Sequence, residues 1–499
     1  MTEFVLPQWP WDLVQDLADA RSVRLWMVGG AVRDILLDRP VHDWDFAVDG
    51  AAMELARAVA DAVDGYFFPL DDERGTARVV LKSGGPSSID LDFARLRGGD
   101  LQSDLAARDF TINAMAIDPG GQLIDPLGGW ADLVDACIRG THRRVFEDDP
   151  VRLLRAARLE WELRFTIDSL TEGWVRADAA LLEGAAAERV RDELARGLGF
   201  VAPSRFIHRL NGLGILTYVL PEVVQLQGVA QTHPHRFDVW HHTLNVVDTV
   251  DGVVATATGE PLPAASEALR QVPAAAWGEL SRRVGRFAGS LRRHLEVPVS
   301  AGRDRFLLLR LGALLHDIGK PQTQSEDDDQ RIHFYGHESR GARRVVNRME
   351  ALRFSREEIG RVRRIVAAHL RPGQLAREDR ITRRAIYRYF RDTGDAGVDT
   401  VLLSLADHLA TWGPGLRKER WARRLDVAET MLFHYFECPD QTIAPSLPID
   451  GHDLMQSLNL EPGPEIGRLL NVLREAAAAG EIETRAEAIA LAREAVRSP

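Results

Sequence analysis

Two aspartates spaced by a single residue, Asp43 and Asp45, constrain this chain more than any other feature. They lie in Val41 to Val48 (VHDWDFAV), which reads as a β-strand. Alternate strand residues point to one face, so the two carboxylates stand side by side. Like charges that close repel and require a compensating cation. Oxygen ligands suit Mg2+, which takes one or two carboxylates and lets substrate phosphates and water complete its octahedron. Just upstream, Leu25 to Val28 reads as a buried strand broken by Gly29-Gly30, and Arg33 and Asp34 then open an apolar-periodic helical segment. The glycines let the backbone approach phosphates, and Arg33 neutralises them. In this order and at this closeness, the stretch reads as a nucleotidyl-transfer site.

The length of 499 residues predicts several domains with ample buried cores. Hydrophobic content of 45% and charged content of 27% are those of an ordinary soluble globular chain. Frequent Ala, Leu and Arg with few Tyr predict a mostly helical one. The net charge of -12 excludes a generally basic nucleic-acid coat, so any RNA site must be a local basic surface. Cys137 and Cys438 lie far apart and form no metal-ligand cluster, which predicts a reducing, cytoplasmic setting. The first residues lack the basic start and apolar core of a signal peptide. No stretch approaches the roughly 20 apolar residues of a membrane helix.

Downstream of the aspartate pair, Ala51 to Val63 has helical periodicity, and Ala77 to Lys82 and Ile89 to Arg95 alternate as strands. Asp90 and Asp92 again share a strand face. In RDFTINAMAID (Arg108 to Asp118), the planar fork of Arg108 suits phosphate oxygens. Asp109 and Asn113 read as a helix cap and a core hydrogen bond. After a Gly-bounded connector, DDPVR (Asp148 to Arg152) places Pro150 at an early helical position and Asp148 or Asp149 at the cap. Arg152, Arg155 and Arg158 recur every three residues and predict a basic ridge on one side of that helix. A second chemistry follows. His242, the adjacent His316 and Asp317 of LLHDIGKP, His337, His369 and Asp407 form an ordered set with the ligand types of a divalent or dinuclear metal site. Ala255 to Ala276, between these segments, reads as an inserted loop or weak helix.

GGAVRD followed by DWDF strongly resembles the head of the DNA polymerase beta nucleotidyltransferase superfamily. More narrowly, it resembles the class II tRNA nucleotidyltransferase (CCA-adding) and bacterial poly(A) polymerase family. The histidine and aspartate set resembles HD-domain metal phosphohydrolases. The resemblance covers nearly the whole chain and implies an α+β fold, with a small-sheet nucleotidyltransferase head over 1–140 and a helical neck over 141–225. An HD metal-binding body over 226–420 and a helical RNA-binding tail over 421–499 complete it. The implied activity is template-independent transfer of CMP and/or AMP from CTP and ATP to the 3′ end of tRNA by a two-metal mechanism.

The resemblance also implies residue roles. Asp43 and Asp45 would hold Mg2+, and Asp90 would be a third carboxylate, although an ordinary exposed strand face explains Asp90 equally. Gly29, Gly30, Arg33 and Arg108 would cradle the triphosphate. Asp149 and Arg152 would read the base edge, with Arg155 and Arg158 on the nucleotide. His242, His316, Asp317, His337, His369 and Asp407 would hold a divalent metal of undetermined identity. The partners implied are tRNA, CTP and ATP, with no membrane. The sequence departs from the family at Ala107-Arg108, where a paired Arg is usual, and in the short connection before it. In the family a longer segment there bears on adding the terminal A, so the shortening counts against A-addition. Two alternatives share these motifs: HD phosphohydrolysis as the main activity, and poly(A) polymerisation.

Overall fold

The computed structural model describes residues 8–41, 43–81, 89–264, 266–300 and 302–497. They fall into two compact units, one of residues 1–185 with 213–215, the other of residues 186–212 and 216–499.

The first unit is built on a seven-stranded sheet in the order β3-β4-β5-β2-β1-β6-β7. The strands are β1 (Arg24–Val28), β2 (Asp43–Asp49), β3 (Tyr66–Asp71), β4 (Thr76–Val80), β5 (Asp90–Arg95), β6 (Ala116–Ile117) and β7 (Leu123–Ile124). Period-two patterning decides which way β2 faces. Trp44, Phe46 and Val48 are buried, while Asp43 is exposed and Asp45 half-buried. Phe46 stacks on Phe93 at 5.0 Å and on Trp11 at 6.2 Å between ring centroids. This apolar layer, packed with the helix α2 (Ala52–Ala62), braces the face opposite the carboxylates. On the carboxylate face, Val28, Ala47, Leu96, Leu105 and Ala116 form a second small core under α3 (Leu101–Ala106).

The expected strand over Ala77 to Lys82 is β4, whose last residue is Val80; Lys82 lies outside the described residues. Strand β3 has no counterpart in the sequence reading, because its exposed residues break the apolar pattern. β2 and β5 run parallel, with Asp43 opposite Asp90 and Asp45 opposite Asp92. Both aspartate pairs therefore occupy one patch. A helix α4 (Arg152–Leu163) follows in the same unit.

The second unit is helical. Its centre is α5 (Val239–Thr258), buried along most of its length, which fits its nearly all-round apolar character. Asp238 caps it by accepting from His241 N–H. The reading of Ala255 to Ala276 as a loop or weak helix holds only in part, since α5 runs on to Thr258 and a short helix covers Glu267–Arg270. Around α5 lie α6 (Arg305–Leu315), α7 (His337–Ala351), α8 (Arg356–Ala368) and α9 (Ala396–Trp412). Ser355 and Glu358 form a capping box at α8. Arg310 clamps Asp251 through two hydrogen bonds of 2.7 and 3.0 Å and donates from Nη1 to the carbonyls of Leu198 and Gly199. A separate apolar cluster of Ile449, Leu454, Leu469, Leu473 and Ile482 holds the last helices together. No helix among the described residues is long and apolar enough to cross a membrane.

Phe46 lies directly behind the aspartate pair with 1% exposure, so Phe46→Ala opens a cavity there. The expected loss is about 3–5 kcal/mol of stability in the first unit, read from urea denaturation; a loss under about 1 kcal/mol would show that the layer does not brace the sheet.

Candidate functional site

Gly29 sits at φ +73°, the left-handed region, and turns the chain from β1 into α1 (Gly30–Leu36). A Cβ at Gly29 would stand 2.9 Å from both Arg108 Nη1 and Asp45 Oδ2, and only glycine lets these two groups approach the turn together. Gly30 N–H hydrogen-bonds to Asp45. The sequence-predicted Gly29, Gly30, Asp45 and Arg108 therefore meet at one point.

Each arginine here is aimed by an acid or amide. Arg108 donates through Nε and Nη2 to Asp104 Oδ2, at 3.1 and 2.9 Å. Arg33 is buried, grips Asp34 through two bonds of 2.9 Å, and donates from Nη1 to Asn113 Oδ1 at 2.9 Å. Asn113 in turn donates to Asp109 Oδ1 at 3.0 Å, and Asp109 Oδ2 accepts from Arg155 Nη1 at 3.0 Å. A relay of four side chains thus joins Arg33 to Arg155. Asp109 does not cap a helix, since the following 3-10 turn has Phe110 at its N-cap; it is a buried acceptor between these arginines and their partners. Burial raises its pKa, but Arg155 and the Asn113 bond outweigh that and hold it at about 2.

The carboxylates carry a different balance. Burial, the largest influence, pushes Asp45 up to about 6, reinforced by Asp92 and Asp43 and opposed by Arg108. Asp90, expected as a third carboxylate, lies opposite Asp43 and is held by Arg78 Nη1 at 2.9 Å. Arg78 also clasps Asp92 through two bonds of 2.7 Å. The exposed Asp43 and half-buried Asp45, set beside a glycine turn, have the donor set a hard divalent cation requires.

The basic ridge expected on α4 is largely covered, since Arg152 and Arg158 are buried and Arg155 is half-buried. Arg152 is 8% exposed and donates to the carbonyls of Val145 at 3.2 Å and Ala107 at 2.9 Å. Its buried Nε makes no hydrogen bond among the described residues and lies 3.9 Å from Asp149 Oδ2. Arg158 is equally buried and pairs with Glu162. Asp149 does not cap α4, whose N-cap is Val151, but it accepts from Val151 N–H at 3.2 Å; Asp148 ends the preceding short helix.

In the helical unit, all six predicted residues converge. His316 and Asp317 follow α6, His337 opens α7, His369 follows α8, His242 lies in the first turn of α5, and Asp407 is on α9. Ligand atoms of His242, His316 and Asp317 cluster within 4.8 Å of one another, as do those of Asp317, His337 and His369, so Asp317 belongs to both triads. Asp407 Oδ1 stands 3.1 Å from His242 Nε2. His316, His337 and His369 each direct Nδ1 at the carbonyl three residues earlier, at 2.7 Å, and turn Nε2 inward. Among the described residues, the buried Nε2 atoms of His242 and His316 and Oδ2 of Asp317 lack a hydrogen bond of acceptable geometry, as expected of atoms shaped for a metal. Burial pushes Asp317 up, but His316 and Lys320 outweigh it and hold the carboxyl well below its usual range.

Several groups at these sites are absent from the sequence reading. Asp104 had a local signal, its i,i+4 spacing to Arg108. Arg78 had none, because its place depends on the pairing of β4 with β5. His235, whose ring packs 4.9 Å from that of His242, and Lys320, 2.7 Å from Asp317 Oδ2, were likewise hidden in loop and turn.

Sequence profiles place a Poly A polymerase head domain over residues 25–139 and an HD domain over 279–412, so His242 lies before the latter. Among solved structures, the Thermotoga maritima CCA-adding enzyme complexed with tRNA aligns with a TM-score of 0.56 at 20% identity, covering 99% of this chain and 97% of that one. A CCA-adding enzyme with CTP aligns at 0.60 and 20%, with the same coverage. These likenesses establish the fold. The chain is 35% identical over 469 residues to the A-adding tRNA nucleotidyltransferase of Deinococcus radiodurans, across 93% of each chain. It is 33% identical over 481 residues to the CC-adding tRNA nucleotidyltransferase of Geobacter sulfurreducens, across 95% of this chain and 93% of that one. This chain belongs to the tRNA nucleotidyltransferase family.

Proposed function

We propose that this chain transfers CMP and/or AMP from CTP and ATP to the 3′ end of tRNA, and that its head performs the transfer. The observation that carries the reading is the meeting of Asp45 and Arg108 at the Gly29 turn, with Arg33 and Gly30 alongside. Asp43 and Asp45 would hold Mg2+. Asp90 adds a third carboxylate to the same face, with Arg78 as its counter-ion. The chemistry supplied by bound Mg2+ is activation of the RNA 3′-hydroxyl and neutralisation of charge on departing pyrophosphate. Arg108 and Arg33 bind and orient the triphosphate, and the bare Gly29-Gly30 turn admits it. Asp149 and Arg152 face the base edge, with the unsatisfied Arg152 Nε available to an acceptor. Arg155 and Arg158 stiffen this side of the site through Asp109 and Glu162.

One observation favours a narrower second reading, addition that ends at CC. The connection from Leu96 to Ala107 is short and folded, a 3-10 turn and one six-residue helix capped by Asp100. It is pinned back by Asp104, which holds Arg108 and accepts from Arg97 N–H. A longer segment at this place in the resembled family bears on adding the terminal A. The two relatives named above divide between A-adding and CC-adding.

In the helical unit, His242, His316, Asp317, His337, His369 and Asp407 would hold a divalent metal whose identity is left to experiment. His235 and Lys320 border that centre.

Three measurements test these assignments. Product length at single-nucleotide resolution, on tRNA transcripts ending before CCA or after CC, should show growth with CTP, and none in Asp43→Ala/Asp45→Ala. Growth that halts at CC supports the narrower reading, and long A tails overturn both. Protons and Mg2+ compete for Asp45, whose pKa lies near 6, so the Mg2+ concentration for half-maximal rate should rise about tenfold per pH unit below 6 and level off above 7. A flat profile from pH 5 to 8 removes Asp45 from the metal site. Finally, equilibrium dialysis with Mn2+ should find Asp317→Ala short of up to two bound ions while CMP transfer persists. Unchanged stoichiometry in a folded variant rejects the shared-aspartate arrangement.

A further inference from the structure

The sheet face that bears the carboxylates extends beyond them. Across the strands, Phe68 of β3 lies opposite Arg78 of β4, Arg78 opposite Asp92 of β5, and Asp92 opposite Asp45 of β2. The neighbouring row runs Tyr66, Val80, Asp90 and Asp43. Residues paired across a sheet share a face, so Tyr66 and Phe68 stand on the same surface as Asp43 and Asp45, three strand spacings or roughly 14 Å away.

Both rings are open to solvent, Tyr66 at 56% and Phe68 at 48% exposure, with centroids 6.5 Å apart and planes tilted by 39°. Phe67 between them points to the other face, under the Arg57 guanidinium at 4.3 Å. Two large aromatics left exposed in register with a reaction site mark a surface that meets a ligand.

Strand addition by a protein partner fits poorly. β3 is the sheet's edge, but Pro69 removes one of its N–H groups, a device that blunts such edges. The charge on this face also selects the occupant. Among the described residues, the four carboxylates of β2 and β5 outnumber the guanidiniums beside them, Arg78 and Arg108, which disfavours an uncompensated phosphate lying flat there. Neutral base faces meet no such penalty, and aromatic side chains stack on unpaired bases regardless of sequence.

We propose that Tyr66 and Phe68 form a stacking platform for the unpaired bases of the RNA strand whose 3′-hydroxyl is presented to Asp43 and Asp45. The platform rests on the nucleotidyl-transfer reading and deepens it: these are positioning residues for the acceptor strand, separate from the nucleotide pocket. Removing them should weaken acceptor RNA and leave CTP untouched.

The test uses the full chain and a tRNA transcript that ends before CCA and carries 2-aminopurine as its last nucleotide, a base whose fluorescence falls on stacking. Tyr66→Ala/Phe68→Ala should lose most of the quench seen with the unaltered protein and raise KM for the transcript about tenfold or more, with KM for CTP unchanged. Tyr66→Phe/Phe68→Tyr should restore both, because either ring stacks. An unchanged quench and an unchanged RNA KM in the alanine variant overturn the platform. So does a dimer in sedimentation that the alanine variant alone abolishes while RNA binding is intact, which would assign the edge to a second copy. Quenching that depends on both rings in a protein that extends no RNA supports the platform and counts against the transfer reading instead.

Discussion

Repulsion among four aspartates on one sheet face is the constraint from which the head follows. Two unit charges about 4 Å apart interact by about 4 kcal/mol at the effective dielectric of a protein surface, enough to undo a small sheet if left unopposed. The parallel register of β2 and β5 makes that crowding unavoidable. Arg78 resolves half of it by binding Asp90 and Asp92 together. The other half remains at Asp43 and Asp45, where Arg108 offsets burial only in part and the Asp45 carboxyl stays protonated up to about pH 6. The fold thus distributes its counter-charge unevenly and leaves one pair as the place where a cation is most strongly favoured.

The helical unit meets a similar demand by another route. Its six converging side chains include four imidazoles, which are neutral as ligands and bring little mutual repulsion. Three of them are oriented by carbonyls three residues back, those of His316 and His369 in the helices they follow and that of His337 in the turn before its helix. Burial, followed by the charges of His316 and His337, pushes His369 down to about 3, so this ring stays neutral throughout the physiological range. Here backbone geometry, rather than an arginine, sets the arrangement.

Much of this was legible in the residues themselves. The pattern of Asp43 and Asp45, the glycine turn, Arg33, Arg108 and the six helical-unit residues could each be named because their signals are local: a two-residue strand period, a strand-to-turn break, or a residue pair at a helix end. What the residues hid was tertiary. Arg78 looks like any polar residue in TARVV until β4 is set against β5, and Tyr66 and Phe68 look like an ordinary break in apolar alternation. The triplet Arg152, Arg155 and Arg158 was read as a basic ridge, and two of its members are buried, because spacing along a helix says which residues share a side, not whether that side is covered. Asp109 was read as a cap for a similar reason: its identity suits a cap, while its position 3.0 Å from both Asn113 and Arg155 is a matter of the folded chain.

The relay from Arg33 through Asn113 and Asp109 to Arg155 bears on how such a head can drift over generations. Each member satisfies the next, and Arg33, Asp109 and Asn113 are buried, so a change at any one leaves a polar group stranded in the interior. A single step therefore costs a buried polar group its partner, and exchange is cheapest as a coordinated set. Neutral wandering is therefore expected to be slow along this line and rapid at solvated pairs such as Arg144 with Glu147, where losing a partner costs little. In lineages descended from this chain, these four positions should change together, tied by a network that spans 122 residues of sequence.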